Sequence, residues 1–277
     1  MNAPLIPVSP VAPAAPYLGG KRHLAQRIIQ RLADIPHHTY VEPFVGMGGV
    51  FLRRPFRAPS EVINDISGDV VTLFRMLQRH YQALMDMLRW QLTSRAEFER
   101  LLAASPDTLT DLERAARFLY LQRTAYGGKI SGRSFGVSPA TPGRFDVTTL
   151  AAQLAEIHER IAGVVIERLP WPELLDRYDA PATLFYLDPP YYGSETDYGP
   201  GVFSRVDFAR MAEHLAKLQG AFVLSLNDRP EVREIFAAFE IEAVDTTYTI
   251  GAATGGTQAV GEVIITSPGA RRDLFSR

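Results

Sequence analysis

The stretch ATLFYLDPPYY, residues 182–192, decides the fold. Thr183 to Leu187 is a continuous apolar run, the kind found in a central strand buried on both faces of a parallel sheet. An acid, two prolines and two tyrosines follow it, and a carboxylate at the end of a buried strand needs a reason. Strand and helix patterns alternate on both sides of this run. TYVEPF, EVINDI, GVVIERL, AFVLSLND, EIEAVDTTYTI and GEVIITS have the pattern of strands. Between them, LAQRIIQRLAD, TTLAAQLAEIHERI, DFARMAEHLAKLQ and RPEVREIFAAF carry apolar residues at helical spacing. Such alternation predicts an α/β fold built on a mostly parallel, Rossmann-like sheet. A helical block interrupts it. GDVVTLFRMLQRHYQALMDMLRWQL is predicted to be helical, as are SRAEFERLLAAS and LTDLERAARFLYLQRTAY. The expected division is therefore an α/β unit of residues 16–75 and 148–270, with residues 76–147 inserted.

The 277 residues allow one large domain or two small ones, and 46% hydrophobic content is enough for a core. No apolar run is long enough to span a bilayer. The opening MNAPLIPVSPVAPAAPY lacks a basic region and a continuous apolar stretch, so it does not fit a secretory signal. Residues 1–15 are expected to form a mobile Pro/Ala-rich tail. The chain has no cysteine, which excludes disulfides, thiolate metal sites and a thiol nucleophile, and fits a reducing cytoplasm. The six histidines show no ligand spacing beyond the pair His37-His38, so no metal is expected. With a net charge of only −2, any nucleic-acid partner must be argued from local charge. That charge is found between Arg114 and Phe145. The segment has no acid, carries Arg114, Arg117, Arg123, Lys129, Arg133 and Arg144, and interleaves Phe118, Tyr120, Tyr126, Phe135 and Phe145. Its second half is rich in Gly, Ser and Pro and predicts a long loop or hairpin.

Ligands of a doubly wound sheet bind beyond the carboxyl ends of its strands. VEPFVGMGGVF puts Gly46, Gly48 and Gly49 there. The dinucleotide fingerprint needs a further Gly at position 51, which is Phe51, and no phosphate-loop motif is present. Asp65, 19 residues after Gly46 at the end of EVINDI, can accept from both hydroxyls of a ribose. A nucleoside without a phosphate cradle fits this pattern, and S-adenosylmethionine is one. At the other strand end, Asp188 and the Pro189 carbonyl suit an exocyclic amine. Accepting from both N–H groups concentrates electron density on nitrogen and favours its tetrahedral geometry on attack. Proline donates nothing and fixes φ, so the carbonyl stays aimed. Tyr191 offers a flat face for an extruded base. A methyl already activated on a sulfonium needs only positioning and electrostatics. The alternative is a plain Asp-capped turn.

YLGGKRHLAQRII, VEPFVGMGG, EVINDI, LYLQRTAYGGK, YLDPPY, FVLSLND and GGTQAVGEVIIT, in this order, resemble the Dam-type DNA adenine methyltransferases of the D12 class, over about residues 17–267. The resemblance implies a methyltransferase sheet with an inserted helical target-recognition domain. It implies adenine N6 methylation of double-stranded DNA, with S-adenosylmethionine as methyl donor and the target base flipped. Tyr17, Gly19, Gly20, Lys21, Phe44, Gly46, Gly48, Asp65 and Asp188 map to cofactor contacts, with Lys21 set to neutralise the methionine carboxylate. Asp188, Pro189, Pro190 and Tyr191 map to the catalytic motif. Arg123, Tyr126, Lys129, Ser131, Arg133 and Arg144 map to the DNA-reading segment, with Tyr126 as a wedge and Arg133 at a base or a phosphate. Read without the resemblance, Lys21 is a solvated lysine at a helix start. A cytoplasmic enzyme, acting as a monomer on bacterial or phage DNA, is the default.

The chain also departs from the pattern. Enzymes of this type that read GATC carry Asn and Arg where Gly127 and Ser131 stand, so GATC is not carried over. Thr257 and Gln258 occupy a stretch that is often basic. N4-cytosine methylation shares the amine chemistry and stays open, as does a non-catalytic DNA-binding module that has kept the fold. C5-cytosine methylation needs a thiolate and is excluded.

Overall fold

The computed structural model describes residues 4–17, 21, 24–136, 143–199, 201–247 and 259–268. In chain order the strands are β1 (Ile6–Pro7), β2 (Thr39–Glu42), β3 (Phe56–Arg57), β4 (Ser60–Asn64), β5 (Val165–Glu167), β6 (Thr183–Leu187), β7 (Ala221–Asn227), β8 (Glu240–Thr247) and β9 (Ala259–Thr266). The helices are α1 (Ala25–Asp34), α2 (Gly68–Arg79), α3 (Tyr81–Leu88), α4 (Arg95–Ala103), α5 (Asp111–Thr124), α6 (Val147–Arg160), α7 (Trp171–Tyr178), α8 (Arg205–Leu215) and α9 (Pro230–Ile235).

Seven strands form one sheet in the order β5-β4-β2-β6-β7-β9-β8. The first five run parallel, β9 is antiparallel to β7, and β8 is antiparallel to β9. From β2 the chain winds outward through β4 to β5. It then crosses back to β6 and winds the other way. The reversal lies between β2 and β6, where such a sheet opens a crevice beyond its carboxyl ends.

All five residues of β6 are buried, as the apolar run predicts. Alternate residues feed opposite faces. Tyr40, Ile63, Leu184 and Tyr186 join a core with α1, α2, α5 and α6, while Val41, Val62, Phe185 and Leu187 join a second with α7, α8 and α9. Each fully buried aliphatic or aromatic side chain contributes roughly 1.5–3 kcal/mol.

The helical stretch after Gly68 is two helices, α2 and α3. His80, at φ −128° and ψ 34°, breaks the run and turns α3. The break carries Leu84 and Leu88 into the core that holds Phe98, Phe118 and Leu121. The helical block packs against the rest of the chain. It shares that core with the sheet, and α2 and α5 pack along each other.

The N-terminal segment is not a loose tail. β1 pairs antiparallel with β3, Ile6 opposite Arg57 and Pro7 opposite Phe56. Val8 N–H donates to Pro55 O at 3.0 Å and Val11 N–H to Leu52 O at 2.8 Å. Val11, Ala14 and Ala15 are buried. Prolines have no N–H to satisfy, and the small side chains between them let an extended backbone lie close against the core.

Candidate active site

The turn after β2 is braced from two sides. Asn64, buried at the end of β4, donates to Pro43 O at 2.9 Å and accepts from Leu169 N–H at 2.8 Å. Asp65 accepts from Gly46 N–H at 2.9 Å through one oxygen and from Ser67 N–H at 2.8 Å through the other. Asp65 therefore locks the glycine turn, a role its sequence spacing did not suggest. Burial pushes its carboxyl up to about 6, against the pull of those two N–H donors. Gly46 and Gly48 adopt φ +51° and +75°, which favour glycine. A Cβ on Gly46 would stand 2.9 Å from the Tyr17 ring, and one on Gly48 2.8 Å from Leu52. The Tyr17 ring thus lies directly on the turn. Phe44 is half-buried and packs edge-on against Phe203. Gly19 and Gly20 lie outside the described residues, as do Thr257 and Gln258.

Asp188 stands at the end of β6, next to this turn in the sheet order. Its Oδ1 is 3.1 Å from the Lys21 ammonium and accepts from Ser225 Oγ of β7 at 3.1 Å. Ser225 is itself hydrogen-bonded to Tyr186 OH at 3.0 Å. Among the described residues both contacts on the carboxylate fall on one oxygen, which leaves Oδ2 to an incoming donor. Burial raises Asp188 to about 6, opposed by the Lys21 charge and reinforced by Glu262. Asn227 grips the following loop, accepting from Tyr192 N–H and donating to Tyr192 O, both at 2.9 Å. Pro189 and Pro190 are buried.

Lys21 is buried, not solvated. Its ammonium donates to Tyr191 OH and lies 4.1 Å from the centre of that ring. It also reaches Glu262 Oε2 at 3.2 Å. The ammonium thus serves the strand-end carboxylate and the tyrosine beside it. The expectation that it neutralises a methionine carboxylate gains no support from this placement.

A cleft of about 1400 Å³ opens over these strand ends. Tyr17, Phe44, Gly46, Asp65 and Asp188 line it together, so the two halves of the predicted site meet. Glu42 lines it as well and was missed in the sequence. Burial raises Glu42 to about 8, although Tyr40 OH donates to it at 2.6 Å. It is therefore mostly uncharged at neutral pH. The only sequence signal for Glu42 is an acid ending an otherwise apolar strand.

The basic segment is less exposed than its composition suggests. Arg114 pairs with Asp69 at 2.6 Å, and buried Arg117 donates to Leu101 O at 2.6 Å, so both brace the helical block. Arg123 donates to Ala14 O and Arg144 O at 2.6 and 3.2 Å. Arg133 folds back onto Gln122 Oε1 and Lys129 O, each at 3.0 Å. Tyr126, Lys129, Ser131 and Arg144 are exposed, with Tyr126 at 52%. An Ala125–Phe135 bridge and the bond from Tyr126 N–H to Ser134 O, at 2.8 Å, hold the loop that presents them.

Comparison with known proteins comes to the same place. The family model for D12 class N6 adenine-specific DNA methyltransferase matches residues 17–250. A type II methyltransferase, M1.LlaDCHI of Lactococcus lactis subsp. cremoris, is 26% identical over 93% of this chain and 95% of its own. A DNA adenine methylase of Salmonella typhi is 26% identical over 90% of this chain and 92% of its own. The type II methyltransferase M.CviBI of Paramecium bursaria Chlorella virus NC1A is 21% identical over 73% and 77%.

Proposed function

The chain belongs to the D12 class of N6 adenine-specific DNA methyltransferases, and from that premise we propose how its own residues carry the reaction. It is an enzyme that methylates adenine N6 in DNA. The family and its relatives do not favour cytosine or a non-catalytic module. S-adenosylmethionine, when bound, supplies an electrophilic methyl group on its sulfonium. The donor set fits it: a half-buried carboxylate, Asp65, directly after β4, and a glycine turn with an aromatic ring lying on it. Tyr17, Phe44, Gly46, Gly48 and Asp65 would hold it, with Gly19 and Gly20 of the same motif.

The observation that carries this reading is the one-sided grip on Asp188. Lys21 and Ser225 occupy Oδ1, and Oδ2 points the remaining acceptor capacity at a substrate. Asp188 Oδ2 and the Pro189 carbonyl accept the two N–H groups of the adenine amine. Tyr191, fixed through its hydroxyl by Lys21, provides the face on which the base stacks. Pro190 keeps the loop rigid. Residues 16–75 and 148–270 form the catalytic part and residues 76–147 the target reader. Lys129 and Arg144 meet phosphates, Ser131 and Arg133 lie along the flanking bases, and Arg123 anchors the loop from behind. A monomer acting on duplex DNA in the cytoplasm completes the proposal.

The deciding experiment is methyl transfer to unmethylated genomic DNA, followed by nucleoside mass spectrometry and sequencing of the modified sites. N6-methyladenine within one short sequence is the expected product. No modified base in the presence of bound cofactor would overturn the reading.

Two variants test parts of it. Asp65→Ala removes an ionised hydrogen-bond partner and should weaken cofactor binding by about 10–100-fold. An unchanged Kd for the cofactor would remove Asp65 from the ribose site. Tyr126→Ala should lower the fluorescence rise of 2-aminopurine placed at the target position, because an exposed wedge offsets part of the few kcal/mol that flipping costs. An unchanged rise would show that Tyr126 takes no part in extrusion.

A further inference from the structure

Glu262 is fully buried, and the chemistry above does not use it. It sits in β9 opposite Asn227 of β7, so the antiparallel strand delivers it to the sheet edge that carries Asp188. A buried carboxylate is costly unless it is paired. One partner is the Lys21 ammonium at 3.2 Å, the same ammonium that lies 3.1 Å from Asp188 Oδ1. One buried cation thus stands between two carboxylates, with Tyr191 OH as its third neighbour.

We infer that Glu262 is a positioning residue for methyl transfer. Its carboxylate holds the Lys21 ammonium against Oδ1 of Asp188, so that Oδ2 is presented to the adenine amine. The inference rests on the reading of Asp188 as the acceptor of that amine. With Asp188 alone, Lys21 could swing between both oxygens or turn toward the cleft. A second, fixed anion on its far side removes that freedom. It also shares the positive charge, so Asp188 keeps the electron density that makes it a strong acceptor. The groups that face Asp188 are Lys21 from the segment before α1, Glu262 from β9, Ser225 from β7, Tyr186 from β6 and Glu42 from the end of β2. Glu262 can be neutralised by an isosteric change without altering either direct contact of Asp188, Lys21 or Ser225.

The test is Glu262→Gln, measured by single-turnover methylation across pH, with cofactor and DNA affinities taken alongside. The expected result is a rate lower by roughly 10–100-fold, the scale of a misplaced reacting group, at unchanged affinities. The acid limb of the rate profile should move to lower pH, because Lys21 is then left to Asp188 alone and stabilises its ionised form. An unchanged rate overturns the inference. A lower rate with an unmoved acid limb also overturns it, since that is the signature of a merely structural loss. If Glu262→Gln fails to fold, the pair Lys21→Met and Lys21→Met/Glu262→Gln replaces it. The double variant should be no slower than the single one. A further slowing would mean that Glu262 acts by a route other than Lys21. Asp188→Asn in the same assay separates the two levels: an active Asp188→Asn enzyme would remove the underlying reading, not this extension alone.

Discussion

Asp188→Asn is expected to lower methyl transfer by about 10²–10³-fold, the scale seen when a preorganised electrostatic partner of a transition state is lost. Cofactor affinity should stay measurable, because Asp65 and the glycine turn are untouched. The amide keeps the size of the side chain and its place at the end of β6. It loses the charge that strengthens the hydrogen bond from the adenine amine as positive charge develops on nitrogen. The pH profile provides an independent check. Burial pushes Asp188 up to about 6, and the reaction needs the ionised form. The rate should therefore hold above that value and fall as pH drops through it. Each step below removes the acceptor by protonation, and the missing charge leaves Lys21 facing Glu262 alone. Single-turnover rates from pH 5 to 8 would show the limb. A profile flat through 6, or an Asp188→Asn enzyme with near-native rate, would remove this carboxylate from the chemistry.

The parts of the site that could be read in the sequence are those written as a strand and its last residue. Asp188 follows an unbroken apolar run, and Gly46 and Asp65 end two more strands. Parallel strands all release their final residues at one edge, so the motif order alone predicts that these groups meet. The rest depends on which strand lies beside which. Lys21 and Glu262 are 241 positions apart, and only the antiparallel insertion of β9 next to β7 brings them together. No local pattern contains that fact. The break at His80 was hidden for a related reason, since it has neither proline nor glycine and follows from where Leu84 and Leu88 must be buried. Charge counting failed at Arg114 and Arg117 because composition cannot say which guanidinium already has a partner.

The N-terminal segment provides the second large effect. Were it a loose tail, its removal would cost nothing. Instead Val11 is buried, and β1 pairs with β3. Gln153 of α6 donates to Ala12 O and Pro13 O at 3.2 and 2.6 Å. Deleting residues 2–13 would remove these contacts and expose the core beneath them. The expected loss is about 2–4 kcal/mol, from a buried valine and stranded polar partners. Denaturant unfolding of the full and shortened chains measures it. The effect should reach function too. Ala12 and Pro13 line the same cleft as Tyr17 and Asp65, and the neighbouring Pro16 O accepts from Gln122 at 2.9 Å, while Gln122 also binds Gly128 O at 2.6 Å. The segment therefore joins the wall of the cleft to the loop that presents Tyr126. The shortened chain should bind cofactor more weakly even at temperatures where it remains folded. Equal stability and equal cofactor affinity would return the segment to the status of a tail. A stability loss with unchanged affinity would confine its role to the core.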